Sequence, residues 1–296
     1  MTQHLPSSGR LRFFLTAASP CPYLPGMEER KVFAHLPQVD GPSINDSLTQ
    51  AGFRRSQNIT YRPACEACSS CTSARIPVKD YAFGRGERRI IKRNADIRRH
   101  LVESEATTEQ FDLLRRYLLA RHADGGMADM TWPDYVAMVE DTTVRTHLVE
   151  YRTRSVDRGP GDLVACVLVD VMSDGLSLVY SFYDPDLAGR SLGSFIVLDN
   201  ILQATTAELP HVYLGYWVPG SEKMAYKVRY SPLEILRPNG WGLISAREIR
   251  QAEAILAANR AVHGPAPARL GRKEAQPQGP ASTASTSVTV KSRPPA

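Results

Sequence analysis

The sequence predicts an α+β protein with a mixed-sheet core, a loop-rich N-terminal region holding most of the cysteines, and a disordered C-terminal tail. Three observations carry this. Two apolar, β-branched runs, DLVACVLVDVMS and LSLVYSFYD, are separated by Asp174-Gly175, and an Asp-Gly between such runs marks a β-hairpin. The hairpin leads through Asp184-Pro185-Asp186 into GRSLGSFIVLDNILQATTAEL, where Leu192, Phe195, Ile196, Ile201 and Leu202 recur at helical spacing, and then into HVYLGYWV, another apolar strand. Strand, helix, strand in that order predicts a right-handed crossover between neighbouring parallel strands. Beyond about residue 262 the text is rich in Pro, Ala, Ser and Thr and nearly empty of large apolar side chains, too few to offset the entropy of ordering.

The other elements follow in chain order. Residues 1–80 are broken by Pro, Gly and Ser and hold four of the five cysteines, which predicts short strands among loops. The main domain is expected over 81–262 and the tail over 263–296. Thr107 and Gln110 can form a capping box, after which Phe111, Leu114, Leu118 and Leu119 share one helical face and Gly125-Gly126 ends the element. His122 near that end is expected to interact with the helix dipole rather than to work with Asp124 as an acid–base pair. A second helix is expected after Thr131, with Trp132, Tyr135, Val136 and Val139 on its apolar side. Cys166 lies within an apolar strand and reads as core.

Composition narrows the function classes. No apolar run reaches the roughly 18 residues of a membrane span, and the patch from Leu11 to Ala18 is short for a signal peptide. The expected location is the cytoplasm, where cysteines are thiols or metal ligands rather than disulfides. The net charge is +5, but the segment from Gly264 carries five Lys/Arg and one Glu, so the rest is near +1 and the basic balance alone does not indicate nucleic acid. The exception is GRGERRIIKRNADIRRH, Gly84 to His100, with seven cations against two acids. It reads either as a solvated face or as a track for a phosphate backbone, with Lys92 and Arg93 at its centre.

The hairpin–loop–helix–strand order resembles the Gcn5-related N-acetyltransferase (GNAT) core, whose loop before the helix binds the coenzyme A pyrophosphate. Here that loop is Arg190-Ser191-Leu192-Gly193-Ser194-Phe195, with a bulky Phe where the family has a small residue, a departure that argues against coenzyme A. A closer resemblance spans roughly residues 10 to 245. CPYLPG, GFRRSQNITYRPACEACSSC, ARIPV, KRNAD, RHADGGM, SFYDPD and YLGYWVPGSEKMAYKVRYSPLE are similar, in the same order, to the bacterial aminoacyl-tRNA–protein transferases of the aspartate/glutamate leucyltransferase branch, relatives of eukaryotic arginyl-tRNA–protein transferases. The resemblance implies a GNAT-like fold and an N-end-rule enzyme that moves leucine from leucyl-tRNA to the α-amine of proteins beginning with Asp or Glu, marking them for degradation. An arginine donor, a coenzyme A-dependent acetyltransferase and a zinc-bearing RNA-binding module are the alternatives.

The chemistry sets what residues are needed. The donor ester is already activated, and the α-amine, with a pKa of about 7.7–8.0, is partly neutral near pH 7, so transfer requires alignment and charge stabilisation rather than a cofactor or a covalent intermediate. An acidic acceptor needs a cation, best an arginine fork. The resemblance points to Arg75, followed by Arg54 and Arg55. Tyr180, Tyr183 and Asp184, at the end of the second hairpin strand, are candidates for orienting the amine or donating a proton; for Asp184 a turn-capping role before Pro185 is the alternative. Tyr216, Ser221, Lys223, Tyr226 and Lys227 interleave aromatics with cations and match the family, which assigns them to tRNA. Cys65-x2-Cys68-x2-Cys71 offers three thiolates, and Cys21 is the one further candidate nearby; zinc or an iron–sulfur cluster wants four ligands. Eukaryotic relatives carry a CxYC-type pair, broken here at Leu24, and an adjacent CC pair that can bind such a cluster. Thiols that pack the region, or a redox switch, remain open.

Overall fold

A computed structural model describes residues 11–121, 127–154, 159 and 161–263. They fall within one unit, Met1–Ala266; the second unit, Pro267–Ala296, and with it the tail expected to be disordered, lies outside the described residues, as do His122, Asp124 and Gly125-Gly126.

The N-terminal part runs β1 (Phe13–Leu15), β2 (Ser19–Pro20), β3 (Glu28–Glu29), β4 (Lys31–His35), α1 (Gly41–Gln50), β5 (Arg54–Ser56), β6 (Ile59–Pro63) and β7 (Thr72–Pro77). Next come α2 (Arg85–Arg93), β8 (Ile97–Val102), α3 (Thr108–Arg121), α4 (Trp132–Glu140), β9 (Thr146–Thr153), β10 (Leu163–Met172) and β11 (Gly175–Tyr183). The chain then forms α5 (Leu192–Thr206), β12 (His211–Trp217), β13 (Glu234–Arg237), β14 (Gly240–Leu243) and α6 (Ala246–His263). The fold is a mixed one of helix and sheet.

Two sheets dominate. A small antiparallel sheet has the order β1-β4-β6-β5, and an eight-stranded sheet has the order β14-β13-β7-β12-β11-β10-β9-β8. The expected hairpin is β10–β11, with Met172 paired to Gly175 across the turn. The expected crossover is β11–α5–β12, and β11 and β12 are the one parallel pair in the large sheet. β7, whose residues precede position 80, inserts between β12 and β13.

Core packing follows the apolar periodicities, with three departures, one of them Leu202 of α5, which is 38% exposed. Leu192, Phe195, Ile196 and Ile201 of α5 are buried against the sheet. Leu114 and Leu118 of α3 pack with Tyr135 and Val139 of α4 and with Cys166. Leu119, expected on the same face, is 63% exposed, and Trp132 lies largely at the surface. Gln110 takes an inward place instead: it completes the capping box with Thr107, accepts from the Tyr135 hydroxyl at 2.9 Å and donates to Glu150 at 2.7 Å. A buried amide with its partners satisfied in this way fixes the packing of α3 on α4 and β9.

Candidate functional site

The parallel strands β11 and β12 separate almost at once. They are paired only from Gly175–Ser177 against His211–Tyr213, after which β11 follows β10 and β12 follows β7. Beyond Ser177 the carbonyls of β11 therefore face a widening gap. Arg54 of β5 fills its start: its Nη2 donates to the carbonyls of Leu178, at 3.0 Å, and Val179, at 3.2 Å. On the other wall Gly215 has φ +75°, and a Cβ there would lie 1.0 Å from the Arg54 Nη1. Glycine is required at 215 by both the left-handed backbone and the guanidinium against it.

The three candidate arginines are in different situations. Arg55 is a buried structural residue, not a surface cation: it forms a two-pronged pair with Asp170, 2.7 Å on each arm, with side chains 1% and 2% exposed. Arg75 is paired to Glu234 at 2.7 Å, donates to the Tyr213 hydroxyl at 3.1 Å and stacks 4.3 Å from the Trp241 ring. Arg54 has carbonyl partners and, among the described residues, no carboxylate within ion-pair distance.

Aromatic rings surround the gap. Tyr61 lies 6.4 Å from Tyr216, and Tyr117 of α3 lies 4.9 Å from Tyr183, with the Arg121 guanidinium 5.3 Å from the Tyr183 ring. Burial raises the Tyr180 pKa to about 12, so its hydroxyl stays protonated at neutral pH. Asp184 accepts from the Asp186 amide at 2.9 Å and pairs with Arg116 at 3.2 Å, the turn-capping role. Gly193, in the loop that the acetyltransferase comparison assigns to pyrophosphate, packs on Tyr183: a Cβ there would meet its ring at 3.0 Å.

The residues expected to meet tRNA divide by burial. Lys92 and Arg93 are exposed on α2, and Lys223 and Tyr226 are exposed beside the gap. Tyr216, Ser221 and Lys227 are buried, which removes them from any contact with a phosphate or base. The Tyr216 hydroxyl donates to the carbonyls of Gly52 and Tyr61, both at 3.0 Å. Lys227 donates to the Tyr216 carbonyl and approaches the Met224 sulfur at 3.3 Å; desolvation, and then the Arg54 charge, hold its pKa well below the usual lysine value. Tyr216 and Lys227 thus spend their polar atoms on acceptors inside the protein.

Cys21, Cys65, Cys68 and Cys71 line one cavity of about 240 Å³ together with Tyr23 and Glu29. Desolvation and the other three thiols raise the Cys71 pKa to about 12. The Cys68 thiol is 3.4 Å from the Ser70 hydroxyl, and that of Cys65 is 3.8 Å from the Arg30 carbonyl. Among the described residues no three or more His, Cys, Asp or Glu side chains converge as a metal site, so the sulfurs share a cavity without forming a coordination shell.

The site residues that motif reading missed are Tyr61, Tyr117 and Arg121. Tyr117, half-buried against the α3–α4 core, reads in the sequence as packing, and Arg121 as a cation in the last turn of the helix; Tyr61 was hidden within the cysteine-rich stretch.

The models for the arginine-tRNA-protein transferase N terminus and C terminus match residues 19–89 and 109–237. An aspartate/glutamate leucyltransferase of Caulobacter vibrioides is 75% identical over 248 residues, 84% of this chain and 88% of that one. The chain belongs to the arginine-tRNA-protein transferase family. A Phenylobacterium zucineum protein of the same name as the Caulobacter one is 72% identical over 255 residues, 86% of this chain and 99% of that relative. Membership makes the chain a transferase enzyme. Among solved structures, L-PGS from Bacillus licheniformis superposes with a TM-score of 0.38 at 13% identity over 64% of each chain. No helix among the described residues is long and apolar enough to cross a membrane.

Proposed function

We propose that this enzyme transfers leucine from leucyl-tRNA to the α-amine of proteins that begin with Asp or Glu, in the cytoplasm, and that its core is GNAT-like, with the β11–β12 gap as the place where ester and amine meet. The observation that carries this is Arg54: a half-buried guanidinium between the diverging strands, with donors remaining beyond its two carbonyl bonds and no carboxylate partner among the described residues. A carboxylate of the acceptor's first residue supplies the missing charge. Arg75, already neutralised by Glu234, is the weaker candidate.

The charge around the gap favours leucine over arginine as the donor group. Arg54 and Arg121 border it, and the nearby Asp184 is committed to Arg116 and Glu29 to Lys31. A leucyl side chain meets tyrosine rings and the Met224 thioether there; an arginyl group would meet like charge. The aminoacyl ester needs no further activation, so the protein's part is to align the neutral amine with the ester and stabilise the charge that develops.

The test incubates the purified enzyme with tRNA charged with labelled leucine or arginine and with peptides beginning with Asp, Glu, Lys or Ala. Leucine is expected on the Asp and Glu peptides alone, and Arg54→Ala is expected to lower kcat/KM for them about ten- to a hundredfold, the range for a hydrogen bond to a charged group. Transfer of arginine would reassign the donor. Transfer from neither tRNA would remove the reading.

A further inference from the structure

A row of side chains crosses the small sheet and ends at the β11–β12 gap. Phe14 of β1 is paired with Phe33 of β4, Phe33 with Tyr61 of β6, and Tyr61 with Arg54 of β5. Directly paired residues share a sheet face, and strands lie about 4.8 Å apart, so the row runs roughly 15 Å from the free edge of the sheet to the guanidinium in the gap. Exposure falls along it: Phe14 is 47% exposed, while Phe33, Tyr61 and Arg54 are intermediate. The Phe14 and Phe33 rings are 5.5 Å apart, His35 closes edge-on to both, and the Lys31 ammonium lies 5.5 Å from the Tyr61 ring. Arg12, just before β1, is exposed, and none of the ion pairs among the described residues involves it.

We propose that this face is the platform for the unpaired 3′ end of the tRNA, with its bases stacked on Phe14 and Phe33 and its terminal ester delivered past Tyr61 to Arg54. Three features favour a nucleic acid strand over a peptide. The row is made of rings, whose faces accept any base. Arg12, without an ion-pair partner among the described residues, and Lys31, which pairs with Glu29 at 2.7 Å, lie beside the rings, where a phosphate backbone needs cations. It also leads continuously to the gap in which the ester must react, while an extended peptide would instead pair along the free edge of β1. The proposal rests on the aminoacyl-transfer reading above.

The test measures binding of uncharged tRNA, full-length and lacking its unpaired 3′ nucleotides, to the wild-type protein and to Phe14→Ala, Phe14→Leu and Phe14→Tyr. Substitution at a half-exposed edge position leaves the fold intact, which the melting temperature verifies. The expected result is a loss of about fivefold or more for full-length tRNA with Ala and with Leu, and recovery with Tyr, because stacking on one aromatic ring is worth at least ~1 kcal/mol. The truncated tRNA is expected to bind all four proteins alike. Equal losses for both tRNAs, or no loss for either, would overturn the platform. So would a raised KM for the acceptor peptide with tRNA affinity unchanged, which would give the face to the protein substrate. A wild-type protein that transfers leucine while Phe14→Ala is indifferent would remove the platform alone; a wild type that binds no tRNA would remove both readings.

Discussion

Lys227 keeps its amine out of water, donating to the Tyr216 carbonyl beside the Met224 sulfur, with Arg54 as the nearby cation. Burial and that neighbour both disfavour the ammonium form, so the folded state holds this lysine at a depressed pKa. The unfolded chain binds the proton more readily, with a pKa near 10.4, so the stability linked to Lys227 is fully present above that value and is lost as pH falls through the folded pKa. Substitution by methionine removes the linkage along with the hydrogen bond. Urea denaturation of the wild type and Lys227→Met at pH 7 and pH 10 is therefore expected to show the wild type gaining on the variant as pH rises. A difference that is flat with pH would mean that the buried amine keeps its proton in both states. The family resemblance placed this residue on tRNA; the alternation of Lys and Tyr alone looks the same whether the side chains face water or one another. Only the fold of the 3-10 turn Ala225–Arg229 under β12 turns it inward.

At the level of elements, the Arg55–Asp170 pair ties the small sheet to the large one, alongside the bonds from Arg54 to β11 and from Tyr216 to Tyr61. Asp170 of β10 also accepts from the Thr146 hydroxyl at 2.8 Å, and Arg55 donates to the Gln57 carbonyl at 2.7 Å, so each nitrogen and oxygen of the buried charges has a hydrogen-bond partner. Removing one partner strands the other in the interior, which costs about 3–5 kcal/mol, whereas replacing both with apolar groups of similar size is often close to neutral. Asp170→Leu is accordingly expected to lower stability by that amount, and Arg55→Met with Asp170→Leu to recover most of it, as read from chemical denaturation midpoints. A double variant no better than the single would assign the loss to packing. This clamp aligns β5 so that the alternation of Arg54 and Arg55 sends one guanidinium to the core and the next into the gap. The two adjacent arginines are equivalent in the sequence, and strand periodicity separates them once β5 is paired with β6.

Across the whole molecule, the legible parts were those fixed by short-range rules. The Asp174-Gly175 hairpin, the α5 crossover and the Thr107 and Thr131 caps depend on residues close in sequence, and each is where its pattern puts it. The site depends on contacts that no local pattern encodes: Arg54 meets Leu178 across 124 positions, and β7 joins β12 from the far side of the chain. Gly215 is where the two kinds of information meet. Its positive φ excuses a side chain locally, and the Arg54 Nη1, 1.0 Å from where a Cβ would stand, forbids one globally. Gly215→Ala must expel the guanidinium, so its kcat/KM with a Glu-initiated peptide is expected to fall about as far as that of Arg54→Ala. In the Arg54→Ala background the same substitution retains only the backbone strain, about 1 kcal/mol. A double-mutant cycle on transfer rates measures this directly: strong non-additivity means that the two positions act as one device, the inserted arginine. Full additivity would mean that activity does not need Arg54 seated against β12, and the acidic acceptor would then have to be read elsewhere.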